Sequence, residues 1–285
     1  MTINKDFKIE VMQNNFEHSY EIKPQISIFP GGEINTKLIL DGIWISSDCH
    51  VNITAHIKSS NHLMALLMIT DALRRIGAEK IELIMPYIPY ARQDRVNNLG
   101  ESLSIKVFTD LINSQNYNTV EIWDSHSDVA VALLDRCHHV RQQDMVPYNV
   151  VFGKTLVSPD AGALKKIYTF ATVFDIANIV KADKIRDTKT GEISGTAVHF
   201  NGNETDNTHF IIADDICDGG RTFIELAKEI KRTFPLAKVD LLVTHGIFSK
   251  GFDVFVGWIN RIYVINPLIK IPSEYDFFVE SLGNK

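Results

Sequence analysis

Two short segments carry most of the residue types that could do chemistry. The first is IIADDICDGGRT, residues 211–222: an apolar run, the adjacent carboxylates Asp214 and Asp215, a glycine pair, and the start of the amphipathic run TFIELAKEIKRTF at 222–234. In α/β sheets, ligands bind beyond the carboxyl ends of the strands, and a helix N-terminus there offers backbone N–H groups and a positive dipole end to a phosphate. Gly219 and Gly220 permit close backbone approach and positive φ, and Thr222 can donate its hydroxyl or cap the helix. The two carboxylates suit vicinal sugar hydroxyls. The ligand so described is a sugar phosphate. Alone, Asp-Gly-Gly is a turn and Thr222 a cap; strand, acid pair, glycines and helix together argue for more.

The second segment, PYIPYARQDR at 86–95, follows a strand-like run and concentrates Tyr, Pro, Arg and Gln. Alone, it is a proline-punctuated exposed loop with two solvated arginines. His126 in IWDSHSD (122–128) alone reads as a hydrogen-bonded structural histidine, and the neighbours His138 and His139 fall in the same class. Lys184 and Arg186 in KADKIRD (181–187) alone read as a solvated face. No G-x-x-x-x-G-K-[ST] is present, so a nucleotide would need a cradle other than a Walker A loop.

Elements that position these residues follow from the periodicity. KLILDGIWISS (37–47) reads as strand, LMALLMITDALRRIG (63–77) as a helix with a glycine stop, and KIELIMPY (80–87) as strand again. The series continues with a helix near Ser102–Ser114, a strand at Thr119–Trp123, a short helix after Asp128, and strands near Thr155–Val157 and Tyr168–Phe174. It closes with strand HFIIADD (209–215), the helix at 222–234 and strand KVDLLVTH (238–245). Such alternation predicts an α/β fold with mostly parallel sheets flanked by helices. Lys181–Gly195 is charged and lacks apolar period, so it is a mobile loop or a solvated hairpin. A polar stretch at Arg141–Val150 separates two series, predicting domains at 1–145 and 146–285.

At 285 residues, two domains are the expectation. A hydrophobic fraction of 45 % with 22 % charge argues against disorder. With 29 Lys plus Arg against 35 Asp plus Glu, the basic footprint for nucleic acid is missing. The start, MTINKDFKIE, has no apolar h-region, and LMALLMITDAL (63–73) is too short to span a bilayer, so a cytoplasmic protein without membrane contact is expected. Cys49, Cys137 and Cys217 are widely spaced and read as reduced thiols.

The loop at 211–222 resembles the phosphoribosyl-binding loop of type I phosphoribosyltransferases. PYIPYARQDR closely resembles the PYxxYARQDR run of ribose-phosphate pyrophosphokinases, also called phosphoribosyl pyrophosphate synthetases. In the same order, FPGGE (29–33) is similar to that family's F-x-D-G-E, GESLSIKVF (100–108) to the helix after ARQDR, IWDSHSD to its strand-end D-x-H, and VSPDAG (157–162) to V-S-P-D-x-G. The resemblance runs from about Phe29 to about His245.

It implies two phosphoribosyltransferase-like domains, ATP and ribose 5-phosphate as substrates, Mg2+ as cofactor, and AMP with phosphoribosyl pyrophosphate as products. Carried over by position, it implies Phe29, Glu33, Arg92, Gln93 and His126 as ATP contacts, and His126 and Asp160 at the Mg-nucleotide. It further implies Asp214, Asp215, Asp218, Gly219, Gly220, Arg221 and Thr222 as the ribose 5-phosphate site, with Lys184 and Arg186 as the catalytic basic pair. Because Phe29 and Glu33 would reach a neighbouring subunit, a homo-oligomer, dimer or hexamer, with a shared nucleotide site is implied. Departures are Gly31 for the acid of F-x-D-G-E, Leu99 and Gly100 for a Ser-Arg pair, and Arg221 for a glycine; Arg221 either adds a phosphate contact or distorts the loop. A nucleobase phosphoribosyltransferase would share DDICDGGRT but not PYIPYARQDR. A non-catalytic regulatory relative would have lost Lys184, Arg186, His126 and Asp160, which are all here.

Overall fold

Apolar runs and turn residues divide the chain into two seven-stranded sheets. The structure, a computed structural model, describes residues 3–13, 18–186, 193–206 and 208–283. Two compact units, Met1–Val140 and Arg141–Lys285, each hold one sheet.

In the first unit the elements are β1 (Phe7–Gln13), β2 (His18–Ile28), β3 (Ile34–Ile39), β4 (His50–Ala55), α1 (Ser60–Arg75), β5 (Lys80–Met85), α2 (Ser104–Asn113), β6 (Thr119–Trp123), α3 (Asp128–Leu133) and β7 (Cys137–Val140). Sheet order is β3-β2-β1-β4-β5-β6-β7. Strands β4 to β7 are parallel, whereas β1 pairs antiparallel with β2 and β4, and β2 with β3. The connections β1–β2 and β2–β3 are too short for a helical crossover, so those strands return as hairpins.

Alternate residues of β4 and β5 are buried: Val51, Ile53 and Ala55, then Ile81, Leu83 and Met85. Helix α1 contributes Ala65, Leu66, Ile69 and Leu73 at helical spacing to the same core. Burying each large aliphatic there contributes about 1.5–3 kcal/mol. The helix ends where Gly77 takes φ +104 and Ala78 N–H bonds back to Leu73 O at 3.0 Å.

The second unit runs α4 (Gln142–Met145), α5 (Tyr148–Val151), β8 (Thr155–Ser158), α6 (Leu164–Val173), β9 (Ile179–Arg186), β10 (Ile193–His199), β11 (His209–Cys217), α7 (Arg221–Thr233), β12 (Lys238–Gly246), β13 (Arg261–Pro267) and β14 (Val279–Ser281). Its order is β10-β9-β8-β11-β12-β13-β14, parallel except for the β9–β10 hairpin. Central strands β12 and β13 are buried in long runs, and β11 over Phe210–Ala213, as parallel strands covered on both faces must be. Helix α7 buries Phe223, Leu226, Ala227 and Ile230, one stripe at i, i+3, i+4, i+7. At the amino ends of β11 and β12, Asp240 accepts from Lys154 Nζ at 2.7 Å and pairs with His209 Nε2 at 2.8 Å, with the Lys154 and Asp240 side chains both buried.

Three sequence expectations need correction. The strand expected over 37–47 stops at Ile39, because Asp41 and Gly42 take left-handed conformations (φ 44 and 82) that no strand can hold. Tyr168–Phe174, expected as strand, lies almost wholly in α6; Ile167, Phe170 and Ala171 are buried at helical spacing, and the β-branched and aromatic content misled. Strands β1 and β2 stand ahead of the first strand that the periodicity predicts. Of the two readings of 181–195, a hairpin is what β9 and β10 form, with residues 187–192 outside the described part.

Candidate active site

Both chemistry-bearing loops of the first unit leave adjacent parallel strands at their carboxyl ends. Strand β5 delivers PYIPYARQDR and β6 delivers Asp124–Asp128, and Trp123 N–H still pairs with Pro86 O at 3.2 Å where they part. Tyr90 takes φ 64, Gln93 N–H returns to Tyr90 O at 2.8 Å, and the Tyr90 ring packs 5.6 Å from Phe108 on α2. That turn holds Arg92 and Gln93 on the surface.

Asp94 then ties the two loops together. It accepts from Ser127 Oγ at 2.7 Å and from Arg95 Nε at 2.8 Å, and these bonds, Arg95 first, hold its carboxyl down at about 2. Ser127 Oγ also accepts from Val129 N–H at 3.1 Å, capping α3. His126 lies between Ser125 and Ser127, exposed, on the edge that carries Arg92 and Gln93. Ser125 N–H donates to His139 Nε2 at 3.0 Å, so that nitrogen must be unprotonated. His138 pairs instead with Glu121 at 3.1 Å.

Phe29 and Glu33 are not brought to this place. They occupy the β2–β3 turn, closed by Phe29 N–H to Glu33 O and Gly32 N–H to Phe29 O, both at 2.8 Å. Strands β1 and β4 separate β2 from β5, three interstrand spacings or roughly 14 Å. Both residues are exposed. The Glu33 carboxylate folds over Gly31, where a Cβ would stand 2.5 Å from Oε2, so an acid at 31 would push Glu33 aside.

In the second unit the carboxyl ends of β8 and β11 gather the remaining acids. After β8, Ser158 Oγ donates to Asp160 O at 2.9 Å, and Asp160 Oδ1 accepts from Ala163 N–H at 3.0 Å. At the end of β11, Asp215 N–H donates to Asp214 Oδ1 at 2.9 Å, while Gln142 Nε2 donates to Asp214 O at 2.6 Å. Burial holds the Asp214 carboxyl well above the usual carboxylate range, and the charges of Asp215 and Asp160 push it the same way. Lys166 on α6 stands 3.6 Å from Asp215, a cation the sequence reading passed over although it closely follows VSPDAG.

The glycine loop has the geometry a phosphate cradle needs. Gly220 takes φ +77 as the N-cap of α7, and a Cβ on it would strike the Phe255 ring. Only glycine fits both demands. Arg221 is the first residue of α7 and exposed, and Ile224 N–H bonds to Gly220 O at 3.0 Å, so the helix begins undistorted beside it. Asp218, Gly219 and Thr222 are partly exposed around this start. The backbones of Lys184 and Arg186 belong to β9, beside β8, and their side chains lie outside the described part.

Residues 8–115 match the family model described as the N-terminal domain of ribose phosphate pyrophosphokinase. The ribose-phosphate pyrophosphokinase of Mycoplasmopsis pulmonis is 30 % identical over 212 residues, 71 % of this chain and 63 % of that protein. The protein of the same name from Pyrococcus abyssi is 26 % identical over 280 residues, 94 % of this chain and 93 % of that one. The chain is thus similar to ribose-phosphate pyrophosphokinases along most of its length. Its match spans less than two thirds of the Mycoplasmopsis relative's length. Among solved structures, the phosphoribosylpyrophosphate synthetase of Mycobacterium smegmatis superposes with a TM-score of 0.75 at 22 % identity, over 92 % of this chain and 87 % of that one. At that identity the likeness is one of fold.

Proposed function

We propose that this chain is a ribose-phosphate diphosphokinase, transferring the β,γ-diphosphoryl group of ATP to the C1 hydroxyl of ribose 5-phosphate. The observation that carries the reading is one chain, similar to ribose-phosphate pyrophosphokinases, holding both PYIPYARQDR, tied to the His126 loop through Asp94 and Ser127, and the strand-end acids Asp214 and Asp215 before a glycine loop.

In the proposed reaction the C1 oxygen attacks the β-phosphorus, the bond to the α,β-bridging oxygen breaks, AMP leaves with that oxygen, and the C1 hydroxyl proton is released. Alignment and charge neutralisation are the main requirements of such a displacement. Arg92, Gln93 and His126 bind the nucleotide. Asp214 and Asp215 hold the vicinal hydroxyls of the pentose, and Asp218, Gly219, Gly220, Arg221 and Thr222 hold its 5-phosphate. Lys184 and Arg186 neutralise charge on the transferred group. Phe29 and Glu33, exposed on their turn and three strands from Arg92, serve the adenine of a neighbouring subunit, which makes the active form a homo-oligomer.

Mg2+ is the cofactor this reading requires. Among the described residues no group of three or more His, Cys, Asp or Glu forms a ready metal cage. Mg2+ is usually held by one or two carboxylates plus substrate phosphates, and the oxygens of Asp160 suit that use, with His126 on the nucleotide side. When bound it supplies charge neutralisation on the triphosphate oxygens. The reading sets the enzyme in the cytoplasm. Cys49, Cys137 and Cys217 are unpaired there, and no helix of the described residues is long and apolar enough to cross a membrane.

Incubation of the purified chain with ATP, ribose 5-phosphate and Mg2+ tests this directly. AMP formed one-for-one with phosphoribosyl pyrophosphate is expected. ATP loss as ADP, or no AMP, refutes the assignment.

A further inference from the structure

We propose that Lys250 is a phosphate-binding residue of the glycine loop, holding the 5-phosphate of the pentose at Gly219; the inference rests on the reading of that loop as the ribose 5-phosphate site. The motifs above leave GIFSKGF, residues 246–252, without a role.

This segment is a fixed turn beside the glycine loop. Phe248 takes φ 46 and Gly251 φ +71, and Gly251 N–H bonds to Phe248 O at 2.9 Å. The Phe248 ring is buried, 4.7 Å from Phe252 and 6.0 Å from Phe255. Phe255 is also the ring that lies under Gly220. One aromatic cluster therefore supports both the turn and the loop. Backbone bonds join them as well: Ile247 and Phe248 N–H reach Cys217 O at 2.8 and 3.2 Å, and Ser249 N–H reaches Asp218 O at 3.2 Å.

The turn exposes Ser249 and Lys250 at its tip. A Cβ placed on Gly219 would stand 3.5 Å from Lys250 Cγ and 3.8 Å from Ser249 Oγ. The lysine stem thus passes directly by Gly219, and Cδ, Cε and the ammonium extend from that point. Among the described residues no salt bridge holds Lys250. Backbone N–H groups and a helix dipole attract a phosphate with partial charges only; an ammonium beside them adds a full unit charge, and lysine serves phosphates in this way as a point charge. Arg221 provides a second cation at the same loop, on a side chain of different origin. The arrangement selects for a pentose whose 5-position is phosphorylated.

Steady-state AMP formation by Lys250→Ala and Lys250→Gln tests the assignment, with titration of ribose 5-phosphate by calorimetry alongside. The expected result is a rise of about tenfold or more in KM and Kd for ribose 5-phosphate in both variants, carried by KM rather than kcat. KM for ATP should hold, the melting temperature should not fall because the side chain is exposed, and Lys250→Arg should recover most of the affinity. Wild-type affinity for ribose 5-phosphate in the Ala and Gln variants overturns the role of Lys250 while leaving the loop reading intact. Failure of the wild-type chain itself to bind ribose 5-phosphate overturns both.

Discussion

The Ser127 hydroxyl donates to the Asp94 carboxylate across 2.7 Å although 33 positions separate them in sequence. This bond joins the loop that carries Arg92 and Gln93 to the one that carries His126. Ser127→Ala should remove the tie and the cap of α3 together, weakening nucleotide binding about three- to thirtyfold while sparing ribose 5-phosphate, as calorimetry with each ligand would report. Ser127→Thr should retain most of the affinity. Because the Asp94 carboxyl is held down at about 2, it stays ionised as pH falls until that value is reached. Nucleotide affinity should therefore show no inflection from Asp94 between pH 5 and 9; one that vanishes in Asp94→Asn would contradict this.

Gly220 faces two demands at once, a left-handed φ of +77 and the Phe255 ring beneath it. Gly220→Ala should cost about 2 kcal/mol or more in stability and abolish sugar binding. Gly219→Ala meets only ordinary contact with Lys250 and Ser249, so its fold should survive. Melting curves of the pair check the contrast.

Lys184→Ala and Arg186→Ala should each lower kcat by roughly 10²-fold or more while the chain stays folded, as loss of a transition-state donor does. Wild-type turnover in both variants removes them from the reaction.

Asp214→Asn combined with Asp215→Asn should abolish ribose 5-phosphate binding and leave nucleotide binding in place. Unchanged sugar affinity in a calorimeter would exclude these carboxylates from the sugar site.

Burial raises the Asp240 carboxyl, but hydrogen bonds from His209 and Lys154 outweigh it and leave the group below its ordinary value. A depressed folded value means the stabilisation is complete above the unfolded aspartate value of about 3.9 and is lost as pH falls through the folded one. Lys154→Met strands the buried charge and should cost about 3 kcal/mol at neutral pH, whereas Lys154→Met with Asp240→Leu should recover much of it. Denaturant melts at pH 7 and pH 3 measure both effects.

Local chemistry was most legible where residue type and backbone demand coincide. The Asp-Asp-x-x-Asp-Gly-Gly run predicts strand, turn and helix start, and the structure puts β11, a left-handed Gly220 and α7 there. Legibility failed where a side-chain pattern served two geometries. Tyr168–Phe174 reads as strand by propensity, yet Phe170 and Ala171 pack as one helical stripe with Ile167. Asp41-Gly42 is a turn signal inside an apolar run and outweighed it. Lys166 and Lys250 escaped because their nearness to Asp215 and Gly219 comes from tertiary packing, with no local spacing to announce it. The Asp94–Ser127 bond escaped for the same reason, since its partners stand on separate loops 33 positions apart.

Phe255 lies under Gly220 and also meets Phe248 edge-on. Trimming that ring, for example by Phe255→Leu, would loosen the glycine cradle and the Ser249–Lys250 tip in the same stroke. Sequence drift on either arm is thus constrained by the other, and grafting a foreign 249–252 tip would succeed only together with its own aromatic keel.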